Sequence, residues 1–428
     1  MNVIITSALV LFVVLMCIRV PIAFSMIGAS SLYLLLKSIP LSVTAQTITF
    51  TLANSYVLLA VPLFMLAGSI MNVSGVTDKI FEFALALVGR MPGSLGHVNV
   101  ICSLIFSGTS GSALADIGGL GVMQIDAMTK AGYKKDFSAA ITVASATIGP
   151  IFPPSIPLVV LAATVELSAV ELLVGGIMPG LVLAIVLMIT VAILAKTHDF
   201  PRTEKRATFA GIWTSFIRSL PAILAPFLLI GGMVSGLFSP TESAAVVVGY
   251  SLCLGFVVYR KLALKILMEQ LINTSYATAT ILFMVAAATL FSWVLTVERI
   301  PDMLATYLLG VTQNPWLLIV FMNIVLLIVG CFMCNAPAIL IFAPIFMPIM
   351  VKVGFDPIHV GLVFVFNLMI GLITPPVGLS LYLVSIVGKV KMGAVLKQLV
   401  PFLIALFVAL ILFTFIPEIT LVGTKLIR

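Results

Sequence analysis

Apolar stretches long enough to cross a lipid bilayer recur from one end of this chain to the other. Ile4–Met16, Leu172–Leu194 and Phe402–Ile416 are three of them. A helix that crosses the hydrocarbon core needs roughly 20 mostly apolar residues, and fewer where neighbouring helices compensate. Hydrophobic residues make up 62% and charged residues only 9% of the 428 positions, which is too little polar surface for a soluble domain. The sequence therefore predicts an all-α polytopic membrane protein.

Basic residues gather at the ends of the apolar stretches, so the net charge of +7 does not indicate a nucleic-acid partner. Cytoplasmic loops of membrane proteins are enriched in Lys and Arg. The groups predicted to be cytoplasmic are Arg19, Lys79–Arg90, Lys130–Lys135, Lys196–Arg206, Arg260–Lys265 and Lys389–Lys397. The acidic or mixed ends predicted to lie outside are Glu166–Glu171, Ser239–Glu242, Glu298–Asp302 and Lys352–Asp356. Lys37, Lys425 and Arg428 run against this bias.

This orientation leaves two apolar segments that begin and end on the same side of the membrane. Residues 93–130 begin and end in the cytoplasm and are interrupted by the hydroxyl-rich Ser107–Ser112. Residues 315–352 begin and end outside and are interrupted near Cys334–Pro337. Each segment predicts a re-entrant hairpin, with a turn outside the membrane as the alternative. Non-helical backbone at membrane depth lies inside protein or lines a wet cavity, so opposed hairpins indicate an internal binding site.

Matching motifs divide the chain into two related halves. Ile148–Pro154 resembles Ile370–Pro376, and each motif follows a predicted hairpin. Leu63–Met65 and Leu282–Met284 precede the hairpins at a similar separation. Five full crossings and one hairpin in each half invert the second half relative to the first, as in many secondary transporters. The predicted halves are residues 1–205, with hairpin 93–130 and broken helix 137–165, and residues 206–428, with hairpin 315–352 and broken helix 357–388.

Paired prolines in both motifs predict helix breaks at mid-membrane. Pro153–Pro154 and Pro375–Pro376 each remove backbone donors and clash with the preceding turn. The freed carbonyls and half-helix ends can be satisfied by a bound cation, while a purely structural kink is the alternative. Hydroxyls in Ser107–Ser112 and at Thr374, with Asn335, suit a hard monovalent ion. Sodium is favoured over calcium, which normally recruits carboxylates.

Isolated charged and thiol side chains give weaker signals. Asp116 follows the first tip, where it is either a functional group or a brace of the hairpin. Glu242 stands at an apparent helix start, which favours a capping role. Arg299 either attracts an anion or, as we favour, anchors the interface. The five cysteines lie mostly in apolar segments and are predicted to be buried thiols, although Cys331 and Cys334 have metal-like spacing.

The motifs resemble those of the large membrane subunit of TRAP transporters, over essentially the whole chain. Phe106–Asp116, Thr147–Ser155, Ser239–Ser243 and Asn367–Gly378 carry the resemblance. It implies an elevator-type transporter of the bacterial inner membrane that imports a carboxylate or acidic sugar with sodium as the coupling ion and without another cofactor. It also implies a periplasmic substrate-binding protein and a small four-helix membrane subunit encoded as a separate chain.

The resemblance further implies the residues of each site. One sodium site would use Ser110, Ser112, Gly149, Phe152 and Pro154. The other would use Cys334, Asn335, Gly371, Thr374 and Pro376. Substrate would lie between the tips, with Ser110, Ser155, Asn335 and Asp116 as its candidate contacts. Many relatives carry an acidic residue where this chain has Cys334, so the second tip lacks that acidic contact.

Two rival functions remain at this point. A stand-alone sodium/carboxylate symporter would share the hairpins and the broken helices. An intramembrane serine protease is the other, because Gly108–Gly111 reads as Gly-x-Ser-Gly. Nucleophilic catalysis needs a base beside the serine, and His97, His198 and His359 are all predicted near segment ends. We therefore expect no catalytic residue and no enzymatic activity.

Overall fold

The computed structural model describes residues 3–18, 20–89, 91–197, 200 and 208–426, and these ranges form helices without strands. The predicted all-α class is therefore confirmed. Arg19, Arg90, His198, Arg428 and most of Lys196–Arg206 lie outside the described residues. The α-helices are α1 Val3–Cys17, α2 Ile22–Leu36, α3 Ser42–Asn54, α4 Ala60–Val73, α5 Val76–Val88, α6 Ser94–Ser110, α7 Ala113–Asp116, α8 Val122–Lys130, α9 Lys135–Ser145, α10 Ile156–Thr164, α11 Ala169–Gly175, α12 Ile177–Thr197, α13 Phe209–Val234, α14 Pro240–Cys253, α15 Leu264–Val297, α16 Ile300–Val311, α17 Pro315–Phe332, α18 Asn335–Lys352, α19 Pro357–Leu372, α20 Leu379–Gly388, α21 Met392–Phe415 and α22 Pro417–Leu421.

The outer surface of the molecule is apolar. Eight helical segments of the described chain have the length and hydropathy to cross a membrane. On α12 the side chains of Ile185, Ile189 and Ile193 are each more than half exposed, at intervals of four residues. This spacing forms one continuous stripe along a helix, and none of the described residues covers it. A stripe of this kind is what a helix in contact with lipid requires.

The helices pack into two bodies, and each body takes helices from both halves of the chain. The hairpin body comprises α6–α12 and α17–α22, the scaffold comprises α1–α5 and α13–α15, and α16 lies between them in contact with α15 and α18. The centre of the hairpin body holds α9 and α19, and every residue from Ile358 to Leu372 is buried. A helix that is apolar all round is stable when other helices enclose it, which accounts for this central position.

Both predicted hairpin segments fold back on themselves at a polar tip. α6 ends at Ser110, and the chain becomes helical again at Ala113, passing through a π-helical turn at Ile117–Gly121 into α8. α17 ends at Phe332, and α18 begins at Asn335. The helices that follow are interrupted between α9 and α10 and between α19 and α20. These interruptions contain the paired prolines, while the inverted relation of the two halves stays a prediction.

Ion pairs between distant segments agree with the predicted sidedness. Lys261 Nζ lies 2.8 Å from Asp78 Oδ2, which joins two of the segments predicted to be cytoplasmic. At the opposite predicted side, Lys37 Nζ lies 2.9 Å from Glu298 Oε1. Lys37 therefore runs against the charge bias beside an acidic partner that offsets its charge.

Some helices were not predicted from apolar length. The helices α3, α5 and α16 are 13, 13 and 12 residues long, and they flank the crossings of the scaffold. α3 is polar and α5 carries three charged residues, whereas α16 is apolar but too short to span a membrane alone. In contrast, α15 runs without interruption for 34 residues.

The start of α14 is a capping box. Ser239 Oγ accepts a hydrogen bond from the Glu242 amide at 3.3 Å, and Glu242 Oε2 accepts one from the Ser239 amide at 2.8 Å. Each side chain satisfies a backbone donor that the helix leaves free. The predicted capping role of Glu242 is therefore confirmed.

All five cysteines are free thiols. Cys102 and Cys331 are buried, and Cys334 is half-buried at the second tip. The prediction of buried thiols is wrong for Cys17 and Cys253, which are exposed. Cys17 is the last residue of α1, and Cys253 lies where α14 passes into the π-helical turn Leu254–Val258; at both positions the neighbouring helices leave the thiol uncovered.

Candidate functional site

The first hairpin tip sits on the first helix break through backbone contacts. Gly111 follows α6 with a φ of 62°, and its carbonyl accepts a hydrogen bond from the Ile156 amide at 3.3 Å. A Cβ atom on Gly111 would collide with the carbonyl oxygen of Pro154. Both the positive φ and this close approach require glycine. The tip and the break, which are far apart in sequence, therefore form one unit.

Asp116 lies inside this unit and is only 2% exposed. The Ser110 hydroxyl donates a hydrogen bond to Asp116 Oδ1. Asp116 Oδ2 has no hydrogen-bond partner among the described residues, and it lies so close to Gly149 that a Cβ there would collide with it. A buried carboxylate oxygen without a donor is costly unless a cation or another donor satisfies it. The predicted residues Ser110, Asp116 and Gly149 are thus brought together.

Ser155 and Phe152 stabilise the first helix break. The Ser155 hydroxyl donates to the carbonyl of Pro150 and accepts from the Leu158 amide at 3.2 Å, which caps α10. Its side chain is fully buried. The Phe152 ring packs against Gly180 of α12. Ser155 was predicted to contact substrate, but in this structure it is buried in the break next to the first tip.

The second tip rests on the second break in a similar way. The amide of Gly378 donates to the carbonyl of Cys331 at 3.3 Å, and the backbones of Gly330 and Gly371 touch. The Asn335 amide nitrogen lies 3.3 Å from the sulfur of Met369. Asn335 Oδ1 is buried and has no hydrogen-bond partner among the described residues. Like the first tip, the second tip therefore presents an unsatisfied oxygen.

The two remaining residues of the second predicted sodium site belong to the break. The Thr374 hydroxyl donates to the carbonyl of Ile370 at 2.7 Å, one helical turn back. Thr374 is followed by Pro375–Pro376 and by Gly378, which has a φ of 55°. The break therefore ends α19 in a tight turn beside the second tip.

A cavity of about 470 Å³ lies between the two tips and the scaffold. The predicted residues that line it are Ser110, Ser112, Cys334 and Asn335. The other lining residues are Met65, Gly68, Ser69, Asn72, Phe106, Leu114, Ala115, Gly118, Gly119, Ile156, Pro157, Val160, Asn273, Thr274, Ala277, Ile281, Met284 and Ala336. Its volume is in the range typical of small-molecule sites.

The electrostatics of this cavity come from backbone rather than from charged side chains. None of the described lining residues is Lys, Arg, His, Asp or Glu. The first turns of α10, of α18 and of the helical run that begins at Ala113 all contribute to its wall. A helix N-terminus carries a partial positive charge and free amide groups. The end of the cavity at the tips is therefore suited to an anionic group.

The scaffold supplies polar cavity residues that the sequence analysis missed. Ser69 and Asn72 come from α4, and Asn273 and Thr274 come from α15. Polar residues inside a membrane-spanning helix are expensive and indicate function. The signal was present, since polar residues recur through Asn273–Thr280 of a membrane-spanning helix, yet nothing in the sequence shows which face these side chains occupy.

No arrangement for hydrolysis or tight metal binding is seen in the described part of the chain. The Ser110 hydroxyl bonds to the carboxylate of Asp116 rather than to a histidine. Groups of three or more His, Cys, Asp or Glu residues that could hold a metal ion are absent from the described ranges. His359 Nδ1 lies 2.8 Å from Thr420 Oγ1, in a different part of the hairpin body.

Relatives of this chain are permease subunits. It is 40% identical over 410 residues to the sialic acid TRAP transporter large permease protein SiaM of Vibrio cholerae, with 95% of each chain covered. It is 39% identical over 396 residues to the C4-dicarboxylate TRAP transporter large permease protein DctM of Pseudomonas aeruginosa, with 92% of each covered. It is 36% identical over 413 residues to the 2,3-diketo-L-gulonate TRAP transporter large permease protein YiaN of Escherichia coli, with 96% of each covered.

A solved structure and a family model complete the comparison. The YdaH transporter of Alcanivorax borkumensis superposes with a TM-score of 0.65 over 88% of each chain, at 16% sequence identity. This likeness concerns the fold alone. The model of the family described as "Tripartite ATP-independent periplasmic transporter, DctM component" matches residues 9–419, nearly the whole chain. The chain belongs to the DctM family of large permease subunits of TRAP transporters.

Proposed function

We propose that this chain imports an organic anion together with sodium as the large membrane subunit of a tripartite transporter. The observation that carries the proposal is the cavity between the two tips. Its polar end is built from helix N-termini and uncharged side chains. An anion can bind there without a fixed cationic partner and can leave again, because neither the amides nor the hydroxyls hold it as a buried salt bridge would.

Sodium is proposed as the coupling ion because both tips present unsatisfied oxygens. Asp116 Oδ2 and Asn335 Oδ1 are buried without hydrogen-bond partners among the described residues. Carboxylate, amide, hydroxyl and carbonyl oxygens are the ligands that a hard monovalent cation prefers. The proposed first site uses Ser110, Ser112, Gly149, Phe152 and Pro154, with Asp116 beside them. The proposed second site uses Cys334, Asn335, Gly371, Thr374 and Pro376.

Transport is proposed to follow an elevator mechanism. The tips and both breaks belong to the hairpin body, while α4, α13 and α15 belong to the scaffold. Movement of the hairpin body past the scaffold would carry the whole tip-and-break unit from one side of the bacterial inner membrane to the other. The internal contacts of that unit would stay unchanged during such a movement.

The partners are proposed from the relatives, which are named as large permease proteins of TRAP transporters. A periplasmic binding protein would deliver the anion, and a small membrane subunit would complete the scaffold. The choice between a carboxylate and an acidic sugar follows the names of those relatives, which mention sialic acid, C4-dicarboxylates and 2,3-diketo-L-gulonate.

Reconstituted uptake tests this proposal. Proteoliposomes containing the complete membrane complex should accumulate the anion only with an inward sodium gradient and the loaded binding protein. We expect Ser110→Ala and Thr374→Ala each to weaken sodium activation, because each removes a hydroxyl next to a proposed ion site. Unchanged uptake in choline would contradict sodium coupling. Wild-type sodium activation curves in both variants would contradict the site assignment.

The alternative is a stand-alone symporter with the same architecture. It would take up free substrate at the same rate without a binding protein. The same proteoliposomes, supplied with free substrate alone, decide between the two functions.

A further inference from the structure

We propose that Ser69, Asn72 and Asn273 form a second subsite of the cavity, and that it binds the hydroxyl groups of a polyhydroxylated monocarboxylate. This inference rests on the proposed function and narrows its substrate class to acidic sugars. The subsite lies on the scaffold and faces the tips across the cavity.

The three side chains converge from two packed helices. Ser69 and Asn72 are three residues apart on α4, so they project from the same face. Asn273 projects from α15, which packs against α4. Gly118 and Gly119 line the cavity beside them: the Asn72 side chain packs on Gly119, while an added Cβ on Gly118 would meet nothing within 4 Å.

These polar groups are available to a ligand. Neither Ser69 nor Asn273 has a hydrogen-bond partner in the described part of the chain, and Asn273 is exposed on α15, one turn beyond Glu269. Asn72 Oδ1 accepts one long bond from the Thr77 hydroxyl at 3.4 Å, and its amide group lies against Gly119. An unpaired amide at membrane depth is unfavourable unless water or a ligand satisfies it.

The distribution of charge distinguishes between the candidate anions. The helix N-termini lie at the tip end of the cavity, so that end suits one carboxylate. The scaffold end offers the amides of Asn72 and Asn273 and the hydroxyls of Ser69 and Thr274, and such groups both donate and accept hydrogen bonds. Sugar hydroxyls match such groups, whereas a second carboxylate can only accept and would lie without a cationic partner. A four-carbon diacid would also fill only part of a cavity of about 470 Å³.

The subsite and the tips lie on different bodies. One substrate molecule can therefore contact both only while the bodies hold the arrangement seen in this structure. The subsite adds specificity at this stage of the cycle and loses its contact when the hairpin body moves away.

Direct binding to the purified membrane complex, with its small subunit and without the binding protein, tests the subsite. In sodium buffer, N-acetylneuraminate and 2,3-diketo-L-gulonate should bind at least about tenfold more tightly than succinate, because a subsite built to bind hydroxyls discriminates against ligands that lack them. Asn72→Leu and Asn273→Leu should each weaken binding of the sugar acids by about five- to tenfold, the effect of one lost hydrogen bond. Succinate has no hydroxyl groups for the subsite, so in both variants it should lose less affinity than the sugar acids do.

Thr280→Val is the matched control, since Thr280 is exposed on the same helix and does not line the cavity. Stabilisation by sodium alone, measured by thermal unfolding, shows that each variant is folded. Asn273→Ser and Asn72→Ser replace any leucine variant that fails this check. They shorten the side chain, so they too should weaken binding of the sugar acids.

Two outcomes would overturn the subsite and leave the proposed function intact. In the first, succinate binds in a sodium-dependent way and as tightly as the sugar acids. In the second, both asparagine variants bind the sugar acids with unchanged affinity. If sodium does not affect the binding of any of these acids, the sodium coupling on which the proposed function rests is overturned.

Discussion

At the scale of single residues, Asp116 is the most consequential side chain of the hairpin body. One carboxylate oxygen receives the Ser110 hydroxyl, and the other faces the backbone at Gly149 without a donor among the described residues. Bracing the hairpin and binding a cation are therefore compatible roles for this residue. The brace uses Oδ1, and Oδ2 stays free for an ion.

We expect Asp116→Asn to weaken sodium activation of uptake roughly tenfold or more, because a partly screened charge next to a cation contributes a few kcal/mol. Asparagine keeps the shape and can still accept from Ser110, so the variant should fold. The sodium concentration for half-maximal uptake is the measurement. Asp302→Asn, at an exposed position on α16, is the control. Equal sodium affinities in the two variants would show that Asp116 is not part of the ion site.

Glu298 gives a prediction that depends on pH. The hydrogen bond from the Tyr33 hydroxyl, followed by that from Lys37, lowers the pKa of Glu298 below its ordinary value of 4.5. A lowered pKa in the folded state stabilises the protein above pH 4.5, and this contribution is lost as the pH falls through the folded value. Over that window the Tm of the wild type should fall more steeply than that of Glu298→Gln. Parallel curves would show that the contact contributes nothing to stability.

At the scale of elements, the parts that local chemistry dictates could be predicted. The hydroxyl and glycine residues predicted the position of the first tip, and the paired prolines predicted the positions of both breaks. The capping role of Glu242 was predicted from its place at a helix start. Helices α3, α5 and α16 could not be predicted in the same way, because α3 and α5 are too polar and α16 is too short for a search based on apolar length. Asn72 and Asn273 could not be placed in the cavity in advance, because their position there depends on how helices distant in sequence pack together.

The contact between α4 and the first tip gives a prediction at this scale. A Cβ on Gly68 would lie 2.8 Å from the Thr109 carbonyl oxygen and 2.9 Å from Ser110 Cα, and both of these are backbone atoms. Gly68→Ala should therefore separate the helix from the tip, with an overpacking cost of about 1–3 kcal/mol. We expect a lower Tm or a several-fold slower uptake.

Gly249→Ala is the matched control for this change. Gly249 lies in α14 with nothing within 4 Å of an added Cβ, so alanine should be neutral or stabilise the helix by up to about 1 kcal/mol. Identical Tm and uptake in the two alanine variants would show that the tip does not rest on α4.

At the scale of the whole molecule, the question is whether the two bodies move. A Cβ on Gly108 of the hairpin body would lie 2.8 Å from Cβ of Pro226 on the scaffold. A Cβ on Gly388 would lie 3.5 Å from Cβ of Ala139, and both of these belong to the hairpin body. Disulfides need Cβ atoms roughly 3.8 Å apart, so the second pair is already near this spacing, and the first pair must separate by about 1 Å.

In a cysteine-free background that still transports, oxidation of the Gly108→Cys and Pro226→Cys pair should abolish uptake, and a reductant should restore it. The Ala139→Cys and Gly388→Cys pair should form a disulfide and retain most of the uptake, because it lies within one body. Full transport by the oxidised cross-body pair would refute relative movement of the bodies.

The uninterrupted length of α15 has a mechanical consequence. At 1.5 Å per residue its 34 residues extend about 51 Å, well beyond a hydrocarbon core of about 30 Å. The charged residues Lys265 and Glu269 take its first turns out of the hydrocarbon core, and the remainder, which is still longer than the core, tilts or deforms the lipid around it at a cost of fractions of a kcal/mol for each Å of mismatch. Bilayer thickness would then act on the angle of the helix that carries Asn273, and the speed of transport should vary with the chain length of the surrounding lipids.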